Sequence, residues 1–262
     1  MNISLEGKKA LVCGSTQGIG KSCALELAVL GAEVTVLARN EAELNKVKTQ
    51  LDEISSLNHQ ILVADFAKPD YLKAQISSYL ADGNHVDILI NNTGGPPGGP
   101  IIDADYSAFQ SALGLHLHCN HILVQAVVPH MKATGYGRII NIISTSVKIP
   151  IPGLGVSNTV RGAVASWSKT LSFELGKFGI TVNNVLPGFT ETARLESIIN
   201  NKASKTGQTA DQVIEHMKFE TPAGRFGLPD EVAGLAAFLS TPAAAYINGT
   251  NIPVDGGRTG SL

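Results

Sequence analysis

The run CGSTQGIGKSCALEL (13–27) spaces Gly14, Gly18 and Gly20 as G-x-x-x-G-x-G ahead of an amphipathic stretch. Glycines in that pattern allow a tight strand-to-helix turn and the close approach of a pyrophosphate. The phosphates would meet free amide groups at a helix N-terminus, where the dipole favours anions. A glycine-rich turn can also be merely a turn, so the elements on either side carry the argument. A second chemical mark lies in VLARNEAEL: Ala38 stands where an acid would accept from a ribose 2′-hydroxyl, and Arg39 follows it. A guanidinium grips a 2′-phosphate bidentately, which favours NADP(H) over NAD(H). A third stretch, HLHCNH (116–121), puts His118 and His121 three residues apart. No carboxylate or cysteine completes a recognisable ligand set there, and no metal is expected.

These residues need a strand before the turn and a helix after it, and the chain supplies both. Apolar runs over 9–13, 33–38, 60–64, 87–91, 138–144, 181–186 and 251–254 read as strands. They lack polar alternation, as strands covered on both faces do. Amphipathic patterns over 21–30, 41–51, 105–131, 162–178 and 230–239 read as helices between them. This alternation predicts an α/β, Rossmann-like, doubly wound parallel sheet with helices on both faces. Residues 1–262 read as one NAD(P)-binding domain, with no repeat or linker. Two segments break the rhythm: TGGPPGGP (93–100), and the polar, helix-prone stretch 189–224 with its few apolar residues Ile198, Ile199, Val213 and Ile214. Both fall beyond strand carboxyl ends, where such sheets bind ligands, and the second is long enough to be a substrate lid.

Bulk composition narrows the partners. With 44% hydrophobic and 16% charged residues, the chain has ample material for a core. A net charge of −2 without a basic cluster argues against nucleic acid or an anionic membrane surface. No apolar run has the length of a membrane span and the N-terminus lacks a signal-peptide pattern, so a cytoplasmic protein is expected. Cys13, Cys23 and Cys119 leave one thiol unpaired in any scheme, and reduced thiols are expected with them.

Ordered motifs along nearly the whole chain resemble the short-chain dehydrogenase/reductase family, in particular the branch typified by 3-oxoacyl-acyl-carrier-protein reductase. GSTQGIG (14–20) resembles its glycine turn, which implies cofactor contacts at Gly14, Thr16, Gln17, Gly18, Ile19 and Gly20. ADF (64–66) places Asp65 and Phe66 where the family touches adenine, and NNTG (91–94) resembles its NNAG strand end with Asn92, Thr93 and Gly94. VNNVLPGFTET (182–192) is similar to the nicotinamide-side stretch, which implies contacts at Pro187, Gly188, Phe189 and Thr192. Residues 225–257 resemble the C-terminal signature. The resemblance implies hydride transfer between NADP(H) and a small carbonyl or alcohol, and a homodimer or homotetramer built on the helices of 105–131 and 162–178.

The family's proton chemistry rests on a serine, a tyrosine, a lysine and an asparagine. Ser144 at the end of GRIINIIS holds the serine position, while the other three read Ser157, Arg161 and His116. None of the five tyrosines falls in the helix that begins near 155. A serine hydroxyl is a far weaker acid than a phenol, and its oxygen lies roughly 4 Å closer to the backbone. Arg161 can bind ribose and supply charge, yet guanidinium does not shuttle protons. His116 titrates near neutrality when unperturbed, so it is a candidate donor, against packing as a neutral buried imidazole. Lys148, Arg194 and Arg225 lie near the expected substrate walls, where the basic side chains offer charge to an acidic group or simply face solvent. Two readings follow: an NADP(H)-dependent oxidoreductase with an atypical site, or a catalytically inactive nucleotide-binding sensor or scaffold of the same fold.

Overall fold

The computed structural model describes residues 1–261. In chain order the elements are β1 (Lys9–Cys13), α1 (Gly18–Val29), β2 (Glu33–Ala38), α2 (Glu41–Ile54), β3 (Gln60–Val63), α3 (Pro69–Ala81) and β4 (Ile88–Asn91). There follow α4 (Tyr106–Leu113), α5 (Cys119–Thr134), β5 (Gly137–Ile142), α6 (Gly155–Leu175) and β6 (Ile180–Pro187). Finally come α7 (Ala193–Thr206), α8 (Ala210–Phe219), α9 (Pro229–Ser240) and β7 (Asn251–Val254). The strands form one sheet in the order β3-β2-β1-β4-β5-β6-β7, every neighbouring pair parallel. The order reverses direction between β1 and β4, the switch point where open α/β sheets bind ligands.

Side chains of each strand alternate between two cores, which is why the strands read as unbroken apolar runs. From β1, Ala10 and Val12 join Leu27 of α1, Leu44 of α2 and Val232 of α9 on one face. Leu11 and Cys13 join Ile76 of α3 and Leu123 of α5 on the other. Helix starts follow local chemistry. Asn40 caps α2 by accepting from the Glu43 amide at 3.2 Å, and α3 begins with Pro69. At the other end of α5, Gly135 adopts φ 68°, a left-handed turn that closes the helix.

The strand expectations agree with the sheet to within one or two residues, and the shifts matter at one place. The fifth strand ends at Ile142 rather than at Ser144, so Ser144 has left the ladder and is free to face the cleft. The expected single helix over 105–131 is broken. Between α4 and α5, residues Gly114–His118 form a π turn in which the Cys119 amide donates to the Gly114 carbonyl. Glycine's poor helix propensity and lack of side chain suit it to opening such a turn. Helix α3 supplies the crossover that the parallel third and fourth strands require, with a buried stripe of Leu72, Ile76 and Tyr79. The polar stretch 189–224 folds as α7 and α8, which carry a small core of their own: Leu195, Ile199, Val213, Met217 and Phe226. All three cysteines are free and buried. Among the described residues, no helix is long and apolar enough to cross a membrane.

Candidate active site

Beyond the carboxyl ends of β1, β4, β5 and β6 lies a cleft of about 470 Å3. Its floor is the glycine turn. Gly14 and Gly18 hold φ of 58° and 53°, a region that side-chain-bearing residues avoid. A Cβ at Gly20 would collide with the Gly14 carbonyl oxygen and come to 2.6 Å from Asn92 Nδ2. The Asn92 amide in turn donates to the carbonyls of Cys13 and Gly14 at 3.3 and 3.2 Å, tying β4 to the turn. Gln17 precedes α1 without a side-chain cap, and no acid occupies the first turn. The leading amides of α1 are thus left to a ligand, and the dipole favours an anion. This cradle fits the diphosphate of a dinucleotide.

Most of the expected cofactor residues converge on the cleft: Gly14, Gln17, Gly18, Ile19, Asn92, Thr93, Gly94, Pro187, Gly188, Phe189, Thr192 and Arg161 line it. Thr16 and Gly20 belong to the turn and first helix behind that wall. Arg39 stands exposed just past β2, and Asp65 and Phe66 lie past β3. The Asp65 carboxylate accepts from the Ala67 amide at 3.0 Å, and the Phe66 carbonyl accepts from Cys119 Sγ at 3.2 Å. They sit one and two strands from β1, the direction in which an adenosine half would extend.

Ser144, Ser157 and Arg161 line the opposite part of the same cleft. Ser144 Oγ accepts from the Ser146 amide at 3.1 Å, so its own proton remains available to a ligand oxygen. Ser157 and Arg161 lie one turn apart on α6, at the i, i+4 spacing that brings side chains onto one face. Arg161 is only 8% exposed and donates from an Nη to the Ile142 carbonyl at 2.9 Å. Burial, with Arg194 nearby, pulls its guanidinium down to about 10, which leaves it fully charged at neutral pH.

His116 is not among the residues that line the cleft. It lies 2% exposed in the π turn, beside a small void shared with Asn91, Asn92, Thr93, Asn120 and Arg161. Its Nε2 is buried without a hydrogen-bond partner. Burial first, then the positive charge of Arg161, pushes its pKa down to about 2, with the Gly94 backbone pulling the other way. Both effects favour the neutral imidazole.

The remaining basic residues separate. Arg225 is not free for a substrate: it makes a two-pronged pair with Glu231 at 2.8 and 2.6 Å. Lys148 is half-buried in the loop after Ser144 and is not among the residues that line the cleft. Arg194, at the start of α7, does line it, and donates to the Pro96 carbonyl at 2.6 Å. That bond joins the two irregular segments, 93–100 and 189–224, across the mouth. The histidines of the 116–121 stretch diverge: His116 is buried, while His121 Nδ1 accepts from the indole of Trp167 at 3.3 Å.

A family model described as enoyl-(acyl carrier protein) reductase matches residues 14–259. The chain belongs to the short-chain dehydrogenase/reductase family. Gluconate 5-dehydrogenase of Gluconobacter oxydans is 31% identical over 259 residues, which is 99% of this chain and 97% of that protein. The 7alpha-hydroxysteroid dehydrogenase of Escherichia coli is 32% identical over 264 residues, covering 100% of this chain and 98% of the relative. Among solved structures, L-sorbose reductase from Gluconobacter frateurii, complexed with NADPH and L-sorbose, superposes with a TM-score of 0.93 at 29% identity, with both chains fully covered. A gluconate 5-dehydrogenase from Burkholderia cenocepacia in complex with NADP and tartrate gives 0.88 at 30% identity, covering 100% of this chain and 98% of that one.

In this short-chain dehydrogenase/reductase none of the five tyrosines reaches the cleft. Tyr79 is held by Thr35 at 2.8 Å and Tyr136 donates to the Ser240 carbonyl at 2.7 Å. Tyr71, Tyr106 and Tyr246 are exposed, and no tyrosine lines the cleft. Sequence reasoning missed one support of the site. Asn91, Asn141, Asn184 and Asn251 stand in register on β4 to β7 and pass amide bonds strand to strand at 2.9, 2.9 and 2.7 Å. The available signal was an asparagine in each of four apolar runs, closing 87–91, inside 138–144 and 181–186, and heading 251–254.

Proposed function

We propose that this protein is an NADP(H)-dependent oxidoreductase that moves hydride to or from a small carbonyl or alcohol with Ser157 and Arg161 in place of the family's tyrosine and lysine. The observation that carries the reading is the continuity of the cleft: the diphosphate cradle at Gly14–Ile19 opens directly onto Ser144, Ser157 and Arg161. Arg39 supports NADP(H) over NAD(H), as do the NADP-bound neighbours. NADP(H), when bound, would supply the hydride, a step that is the cofactor's own chemistry. The protein's part is to orient the reactants and manage the oxygen. Ser144 donates to the substrate oxygen, and Ser157, with no side-chain hydrogen bond of its own, is placed to hold the same oxygen or a water beside it. Arg161 contributes fixed positive charge where an alkoxide develops. With no phenol and a neutral His116, the proton comes from solvent water entering the open cleft. As the carbonyl is reduced, its oxygen would take a proton from water held beside Ser144 and Ser157, and the hydroxide left behind would be neutralised by bulk buffer.

The absence of any phenol from the cleft favours a second reading, a nucleotide binder without turnover. One experiment separates the two: NADPH and NADH oxidation by wild type and by Ser157→Tyr/Arg161→Lys over one panel of carbonyl compounds, with cofactor binding measured in the same samples. Turnover by wild type with NADPH is expected, and faster turnover by the double variant. Turnover confined to the variant would withdraw the enzyme reading and leave a sensor or scaffold.

The family resemblance and one exposed aromatic on α6 support a homodimer or homotetramer. Phe173 on that helix is 74% exposed, beneath the ammonium of Lys169.

A further inference from the structure

Arg161 and Arg194 face one cleft, and nothing in the described residues neutralises them. Arg194 comes from the start of α7 and reaches the Pro96 carbonyl, while Arg161 comes from α6 and reaches the Ile142 carbonyl. Each spends a donor on a neutral backbone oxygen. Arg161 Nε is buried and has no partner. Among the described residues, the one carboxylate on the cleft wall belongs to Glu191, which is exposed, and its charge acts on Arg225 rather than on either of them. The electrostatics agree with the geometry. Burial lowers both guanidiniums, Arg194 further lowers Arg161, and no acid offsets either shift. Two partly or wholly desolvated cations without a counter-ion are costly to hold in place. Such an arrangement is stabilised when an anion enters between them, and charge-assisted bonds to a planar guanidinium suit a carboxylate.

We infer that the substrate end of the cleft is an anion site: the natural substrate carries a carboxylate, held by Arg194 with Arg161 behind it, alongside the carbonyl or hydroxyl presented to Ser144 and Ser157. The substrate class is then a hydroxy acid or the corresponding keto acid. The cofactor's anionic groups have candidate places of their own, at the amides of α1 and at Arg39, while Arg194 flanks Gly95 and Pro96 in the loop after β4. Hydroxyls of Ser144, Ser157 and Thr190 on the same walls suit the polar remainder of such a molecule. The inference deepens the oxidoreductase reading by naming its substrate class, but anion binding can be measured whether or not turnover occurs.

The test titrates the NADPH-loaded protein calorimetrically with lactate, malate and gluconate, each against its neutral amide. At least one acid is expected to bind about tenfold or more tightly than its amide, the gain of a charge-assisted contact in a shielded site. Added salt should shrink that preference. Arg194→Gln is expected to bring the ratio to within about threefold while NADPH affinity and the melting temperature hold, and Arg194→Lys to restore part of it. Arg194 is half-buried on a helix that packs in its own small cluster, so loss of the fold is not expected from these changes. Equal binding of every acid and amide would overturn the inference, as would an unchanged ratio in Arg194→Gln. Displacement of NADPH by the acids would also overturn it, because the arginines would then serve a cofactor phosphate. An acid that binds with the expected preference, yet is not oxidised when NADP+ replaces NADPH and whose keto acid is not reduced by NADPH, sustains the anion site and sinks the oxidoreductase reading. Turnover of neutral ketones with no preference for acids does the reverse.

Discussion

His116 shows how an environment settles a residue's chemistry. An imidazole in water is half-protonated near 6.5, whereas here burial and the charge of Arg161 hold it neutral down to about 2. A folded-state pKa depressed in this way contributes stability that is fully present above about 6.5 and is lost as pH falls from there towards 2, because the unfolded chain takes up the proton first. His116→Asn should therefore flatten the acid side of the stability profile, measured by urea unfolding at a series of pH values. If the protein turns over, the same substitution should leave kcat within about threefold and its pH dependence unmoved between about 5 and 8. A lost acid limb in that profile would return histidine to the proton path. His116 and Arg161 stand at positions the sequence resemblance had already singled out. Their effects differ, because one is charged at neutral pH and the other is not.

At the level of elements, the parallel sheet both displays the site and stiffens it. Strands β4 and β5 end in loops that carry Asn92 and Ser144, β6 ends on Pro187, and the asparagine ladder crosses the same strands within a few residues of those ends. Asn141 is the middle of the ladder, bonded to Asn91, Asn184 and Ser168. Removing it leaves two buried amides short of partners, so Asn141→Ala should cost about 2 kcal/mol or more in urea unfolding. NADPH binding should weaken with it, through Asn92 and the turn. An isostable variant would show that water replaces the side chain at no cost. The π turn acts at the same scale. A regular helix over 105–131 would present a different face from residue 114 onward, and His116 would not meet Arg161 in its present geometry.

For the molecule as a whole, two cores sandwich one sheet, and the lid helices α7 and α8 add a third small core beside the cleft. The lid meets the 93–100 loop through Arg194 and Pro96, so the mouth is bounded by segments that no strand constrains. Assembly belongs to this scale too. Phe173 on the outer face of α6 is the residue we expect at the subunit contact. Phe173→Glu should convert the oligomer to monomer in size-exclusion chromatography with light scattering, leaving the fold intact by circular dichroism. A wild-type monomer would remove the expectation altogether.

By itself, the sequence determined the parallel α/β sheet, because strands buried on both faces must be apolar throughout and leave no other period to read. It also determined the phosphate turn, since backbone geometry there admits little but glycine, and it located Ser144, Ser157 and Arg161 through landmarks on either side. What it could not show is what each polar group meets. Whether a histidine lines the cleft or lies buried, whether Arg225 is free or paired with Glu231, and whether four asparagines are solvated or stand in one ladder are questions of contact between distant segments. Only the tertiary structure decided them, because protonation and pairing depend on the burial and neighbouring charge that packing creates.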